Sequence, residues 1–214
     1  MGGEAGVRVA ILDAQALVAE ALASLIGRTG IEVVAVAATW EELLGHPAMP
    51  VDVVVLDLHL PDGMLVSTRV RELAALGCGT VVLSRRTDAT SVASAMRAGA
   101  RAFVATADSP ADFVAAIRTA AAGGQHVDAH RAAAARGVRT GGDAGLGRRE
   151  ERALVLYAAG GSLREVAAAM ETTEETVKSY IKRARRKFRA VGVDIGTRDR
   201  LRRHALEQGW TGGS

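Results

Sequence analysis

Asp57 ends a run of β-branched and apolar residues in the stretch VDVVVLDLHLPDG, and the turn Leu60-Pro61-Asp62-Gly63 follows it. Such a run reads as a strand covered on both faces, as in a parallel sheet. Open α/β sheets place their chemistry at the carboxyl ends of these strands, which makes Asp57 the first candidate for a reactive or ligand-holding group. Three other short apolar runs end on polar side chains, at Asp13, Ser84 and Thr106. A second constellation lies nearer the C-terminus, where Lys178, Ser179, Lys182, Arg183, Arg185, Arg186, Lys187 and Arg189 crowd one helical stretch. A helix fits the DNA major groove, where Lys and Arg donate to guanine O6 and N7 while neighbouring side chains hold phosphates. A basic helix is often only a solvated face, and the capped helix pair ahead of this one is what favours DNA.

The elements that must position Asp57 follow from periodicity. Val7 to Leu12 is a first strand, and Leu17, Leu22, Leu25 and Ile26 repeat at helical spacing behind it. Val33 to Ala37 is a second strand, and Thr39-x-x-Glu42 is a capping box that opens a short helix ended by Pro47 and Pro50. After the Asp57 strand come a helix from Met64 to Leu76 and a fourth strand from Thr80 to Leu83. A helix from Thr90 to Ala98 and a fifth strand from Ala102 to Ala105 follow, and Ser109-Pro110 opens a helix that runs to Ala122. Strands that alternate with helices imply right-handed βαβ units and an α/β fold, a doubly wound five-stranded parallel sheet.

From His126 to Gly147 the chain is Ala, Arg and Gly with little apolar periodicity, which reads as a linker. His126 and His130 stand four apart and could be metal ligands on one helix face; with no further Cys or His nearby, solvated linker residues are the preferred reading. The last segment is all helical: Arg148 to Ala159, a Gly160-Gly161 turn, Ser162-x-x-Glu165 opening a helix to Met170, Thr173 capping a longer helix from Glu174 to about Val191, and a fourth helix from Thr197 to Gln208. The expected organisation is therefore a domain over 1–125, a linker over 126–147 and a helix-turn-helix domain over 148–214.

Charge divides along the same lines. From Arg148 onward 15 Lys plus Arg oppose 9 Asp plus Glu, a net of +6, whereas the rest carries −3, so only the back of the chain is suited to a polyanion. All three lysines, Lys178, Lys182 and Lys187, fall in the basic helix. A single cysteine, Cys78, excludes an internal disulfide, and no apolar run reaches about 18 residues, so a soluble cytoplasmic protein without membrane contact is expected.

Asp57 with Pro61 and Gly63 after it, Asp13, Ser84, and the phrase AMRAGARAFV before the fifth strand together resemble the receiver domain of two-component response regulators, over residues 7–124. The segment GRREERALVLYAAGGSLREVAAAMETTEETVKSYIKRARRKF resembles the LuxR-type (LuxR/NarL) helix-turn-helix. The second resemblance implies double-stranded DNA as partner, with Lys178, Ser179 and Lys182 at base edges, Thr176 and Arg183 at the backbone, and Arg186 and Lys187 on the same basic helix. It also implies a dimer, as a homodimer or with another response regulator, with the fourth helix at the dimer contact.

The receiver resemblance makes Asp57 the phosphoacceptor position of a phosphorelay. The family pocket adds two adjacent acids that help hold Mg2+, a Ser or Thr, and a Lys. This chain departs from that pattern. Asp13 is followed by Ala14, the Lys position is Thr106, and residues 1–177 contain no lysine. Asp13 and Asp57 thus make at best a weak magnesium site, and no cofactor is expected. Arg85 and Arg86 follow Ser84; an Arg there either pairs with Asp57 and obstructs entry or points into solvent. Phe103 stands where the family keeps an aromatic that rotates with the Ser or Thr, and is equally plain core; His59 is either a pH-sensitive neighbour of the pocket or an inert loop residue. The expected function is a sequence-specific transcriptional regulator with an atypical receiver, controlled without aspartyl phosphorylation by dimerisation, a partner or a ligand. The alternative is a conventional phospho-activated response regulator that uses Asp57, and a sensor kinase partner is left open. An α/β hydrolase built on Asp57 finds no second acid or base beside it, no G-x-S-x-G elbow and no P-loop, so the protein is expected not to be an enzyme.

Overall fold

The computed structural model describes residues 6–58, 60, 62, 64–85, 89–136, 144–207 and 210, with the side chain of residue 90 left aside. The chain forms two compact units. The first contains β1 (Arg8–Leu12), α1 (Ala16–Gly27), β2 (Glu32–Ala37), α2 (Trp40–Gly45), β3 (Val53–Asp57), α3 (Val66–Ala75), β4 (Gly79–Ser84), α4 (Ala89–Arg97), β5 (Ala102–Ala105), α5 (Pro110–Ala121), β6 (His126–Val127) and α6 (Ala129–Arg136). The second contains α7 (Arg148–Ala158), α8 (Leu163–Ala169), α9 (Glu174–Ala190) and α10 (Arg198–Glu207).

The sheet order is β2-β1-β3-β4-β5-β6, with every described pairing parallel. All five residues of β3 are buried, as a central strand with both faces covered requires. Val9, Ile11, Val53, Val55, Val81, Leu83 and Val104 supply one face of the core and meet Ala19 and Ile26 of α1 and Phe113, Ala116 and Ile117 of α5. The alternate residues Leu12, Val54, Leu56, Val82 and Phe103 turn to the other face and are equally buried. Gly79 lets α5 approach β4 closely, since a Cβ there would lie 3.1 Å from the Ala120 carbonyl oxygen and 3.3 Å from that of Asp52.

Local signals set the helix ends. Thr39 and Glu42 close the capping box of α2, Ser109 accepts from the Asp112 amide ahead of Pro110, Ser162 and Glu165 cap α8, and Thr173 accepts from the Thr176 amide. Gly77 and Gly99 end α3 and α4 at φ +80° and +105°, a conformation that favours glycine.

The structure corrects two expectations. The sheet has six strands, not five, and the segment expected to be linker is ordered from His126 to Arg136 as β6 and α6, within the first unit. Two causes account for it: β6 extends the sheet, with the His126 amide donating to the Arg101 carbonyl at 2.8 Å, and Asp128 caps α6 by accepting from the His130 and Arg131 amides. His126 lies on β6 and His130 on α6, so they do not share a helix face.

Candidate receiver pocket and nucleic-acid interface

The strand order reverses between β1 and β3, the switch point at which open α/β sheets bind their ligands. Leu12 pairs with Leu56, so Asp13 and Asp57 stand at neighbouring strand ends. Both are buried, and the Asp13 carboxylate accepts from the Gln15 amide at 2.8 Å. Across β3 and β4 the Leu58 amide donates to the Leu83 carbonyl at 3.0 Å, which fixes the start of the loop after Asp57. Ser84 is 1% exposed at the end of β4, and its carbonyl accepts from the Thr106 amide at 2.9 Å. The fold thus brings Asp13, Asp57, Ser84 and Thr106 to one edge of the sheet. Ala14, Arg85 and Thr106 are exposed at its rim, and Phe103 is buried on β5 in register with Val82 and Val127. Arg85 forms no ion pair with Asp57 among the described residues; His59 and Arg86 lie outside them. No group of three or more His, Cys, Asp or Glu side chains among the described residues could hold a metal ion.

A pair that sequence reasoning missed adjoins this edge. Asp108, in the loop after Thr106, accepts from the Ala105 amide at 2.8 Å and binds both terminal nitrogens of Arg131 at 2.5 Å. The Arg131 hydrogen bond holds the Asp108 carboxyl below the usual carboxylate range. The partners are 23 residues apart with no local pattern between them, so no sequence period could have revealed the pair.

In the helical unit, Val177, Ile181, Ala184 and Phe188 turn one face of α9 into a core built with Leu154, Val166, Met170 and Leu201. The α8–α9 turn passes through Glu171 at φ 50° before Thr173 starts the next helix. Phe188, His204 and Trp210 stack in tilted and edge-on contacts that hold α10 against α9. Lys178, Lys182, Arg183 and Arg186 are exposed, with Thr176 and Ser179 half-buried.

The basic residues of α9 are not equivalent. Glu150 on α7, its side chain 11% exposed, accepts from the Arg183 Nε at 3.0 Å, the Lys187 Nζ at 2.7 Å and the Gly147 amide at 3.1 Å. Burial pushes its carboxyl up, but the bonds from Lys187, Gly147 and Arg183 outweigh that and hold it below the usual range. Lys187 also donates to the Gly145 carbonyl at 2.9 Å, and the Arg183 guanidinium lies over the Tyr180 ring at 5.0 Å. Lys178 forms only an exposed pair with Glu175 at 3.3 Å, the kind worth little. Lys182 and Arg186 form no ion pair among the described residues. The structure thus ties Arg183 and Lys187 to Glu150, and leaves Lys178, Lys182, Arg186 and Arg189 exposed with no ion pair to α7 among the described residues and Ser179 half-buried among them. Sequence reasoning missed Glu150, because its contacts lie 33 and 37 residues away.

Comparison with known proteins places both units in known families. Residues 9–118 match the response regulator receiver domain family, and residues 144–188 match the sigma-70, region 4 family. The transcriptional regulatory protein UhpA of Salmonella typhimurium is 30% identical over 173 residues, covering 80% of this chain and 86% of its own. The DNA-binding transcriptional activator DevR/DosR of Mycobacterium tuberculosis is 30% identical over 189 residues, covering 83% of this chain and 86% of its own. The crystal structure of response regulator ChrA, from a heme-sensing two-component system, superposes with a TM-score of 0.52 at 26% identity, covering 96% of this chain and 98% of ChrA. With a receiver sheet that presents Asp57 at its switch point and a LuxR/NarL-type helix-turn-helix behind it, the chain belongs to the response regulators, DNA-binding transcriptional regulators rather than enzymes.

Proposed function

We propose that this DNA-binding transcriptional regulator is controlled without phosphorylation of Asp57, its receiver serving as a platform for dimerisation or for a partner or ligand. One observation carries the reading: the rim positions next to Asp13 and Asp57 are filled by exposed Ala14 and Thr106, where the family's second acid and lysine would stand. Phosphoryl transfer to a carboxylate needs cations to offset the charge on the transferring group and fixed donors to hold the product. Magnesium is held by hard oxygen donors, and with Ala14 in the position of the family's second acid, Asp13 and Asp57 bring two carboxylates and so less negative charge to retain the ion. No lysine precedes residue 178, so no ammonium group of the receiver can take over.

The burial of Asp13, Asp57 and Ser84 at neighbouring strand ends favours a second reading, an ordinary phospho-activated regulator. One experiment decides between them. The full chain is incubated with magnesium and either acetyl phosphate or beryllium fluoride, the adduct is sought by mass spectrometry, and DNA affinity is measured. The phosphorylation-free reading expects no stable adduct and unchanged affinity; an adduct at Asp57 that raises affinity overturns it, and full regulatory activity of Asp57→Ala in cells overturns the second.

On the output side, Lys178, Ser179 and Lys182 read base edges, and Thr176 and Arg183 hold the phosphate backbone, Arg183 while its Nε is bonded to Glu150, with exposed Arg186 beside them. Dimers would place two α9 helices about one helical turn of DNA apart. Among the described residues no helix is long and apolar enough to cross a membrane.

A further inference from the structure

The segment 126–136 is docked on the receiver. The helix α6 has eight residues, AHRAAAAR, too few to be stable in water alone. It packs on α4 through Ala135, buried, and Ala132, half-buried, opposite Val92, Ala93 and Met96. Alanine methyls are too short to fill the space, and a groove of about 520 Å³ remains between the two helices. Val92, Ala93 and Ala135 are buried at this contact, and the short alanine side chains limit the apolar area that α6 removes from water. Besides the pairing of β6 with β5, a polar tie holds the segment: the Arg131 fork grips both oxygens of Asp108 with side chains 18% and 20% exposed, a bidentate geometry among the strongest of ion pairs.

Asp108 is also bonded to the pocket side. The oxygen that accepts from Arg131 Nη1 accepts from the Ala105 amide at 2.8 Å as well, and the next residue, Thr106, donates its amide to Ser84 at 2.9 Å. One carboxylate thus ties the loop at the receiver pocket to the helix that starts the path toward the second unit.

We propose that the Arg131–Asp108 ion pair couples the β5–α5 loop to α6, so that a change at the pocket rim docks or releases the segment leading to the DNA-binding unit. This rests on the phosphorylation-free reading in one respect, that the change at the rim is something other than a phosphoryl group on Asp57. A released α6 adds its eight residues to the connection between the units, and the expected consequence is weaker DNA binding.

The test is amide hydrogen exchange on the full chain. Arg131→Gln should raise exchange across 129–136 about tenfold and raise it at Ala105 and Thr106 as well, and pairing Asp108→Arg with Arg131→Asp should restore protection across 129–136 but not at Ala105, whose amide then has no carboxylate to bond. Coupling is reciprocal, so Thr106→Gly should raise exchange in α6, which a merely fastened helix would not show. Raising salt on the unsubstituted chain should give the same redistribution and needs no variant to fold. On a duplex that the wild-type chain selects from a random pool, Arg131→Gln should bind about threefold or more weakly. Exchange in 129–136 that stays within about twofold of wild type overturns the proposal, as does faster exchange there with Ala105 and Thr106 unchanged, or equal DNA affinity. If beryllium fluoride forms an adduct at Asp57 and raises DNA affinity while the Arg131→Gln results hold, the phosphorylation-free reading fails and the coupling stands.

Discussion

Replacing Glu150 by Gln keeps the shape of the side chain and removes the charge that binds α7 to α9. Glu150 accepts from Lys187 at 2.7 Å, Arg183 at 3.0 Å and the Gly147 amide at 3.1 Å. Hydrogen bonds to a charged group contribute about 1.5 to 3 kcal/mol each, and neutral ones about half of that. The partners are not deeply buried: Arg183 is 44% and Lys187 34% exposed, so solvent screens both pairs and the charged increment must be discounted. The expected loss is about 1 to 2 kcal/mol, read as a lower urea midpoint of the helical unit followed by the near-ultraviolet signal of Trp210 and Tyr180. The pH dependence supplies the sharper check. Because the folded carboxyl lies below its ordinary value, the Glu150 contribution is fully present above the usual carboxylate range and is lost as pH falls through the lowered value. The gap between wild type and Glu150→Gln should therefore close on acidification. A variant as stable as wild type at neutral pH, or a gap that persists once Glu150 is protonated, would refute the assignment.

Three further outcomes are expected. Lys182→Ala should weaken binding to a selected duplex by about 1 to 3 kcal/mol and relax base preference, whereas Arg183→Ala should lower thermal stability, because its Nε is bonded to Glu150, and weaken all duplexes alike; a Lys182→Ala loss equal on specific and random DNA, or an Arg183→Ala variant as stable as wild type, would contradict this division. Gly79→Ala should destabilise the receiver by about 1 to 3 kcal/mol in chemical denaturation, since its Cβ would press on the Ala120 and Asp52 carbonyls. Ser162→Ala should cost about 1 kcal/mol by removing the α8 cap from the Glu165 amide, and Ser162→Gly should recover most of it.

Where a residue's structure depends on neighbours within a few positions, the sequence was sufficient. The β-branched run of β3 could only be a buried strand, the four Ser and Thr caps start helices where their side chains can reach an amide three residues on, and the α9 stripe of Val177, Ile181, Ala184 and Phe188 fixed which side of that helix faces water. The alternation of strand and helix likewise carried Asp13, Asp57 and Ser84 to one end of the sheet. Tertiary structure decided what depends on residues far apart in the chain. An alanine-rich segment has no period that announces a strand or a docked helix, so β6 and α6 exist because the edge of β5 and the carboxylate of Asp108 were there to receive them. In the same way, eight basic or polar side chains on one helix look alike in sequence, and only the packing of α7 against α9 brings Glu150 to Arg183 and Lys187 and leaves Lys178, Lys182 and Arg186 facing solvent. Charge can be counted from sequence; which charge is already satisfied is settled by the distance between side chains, and folding sets that distance.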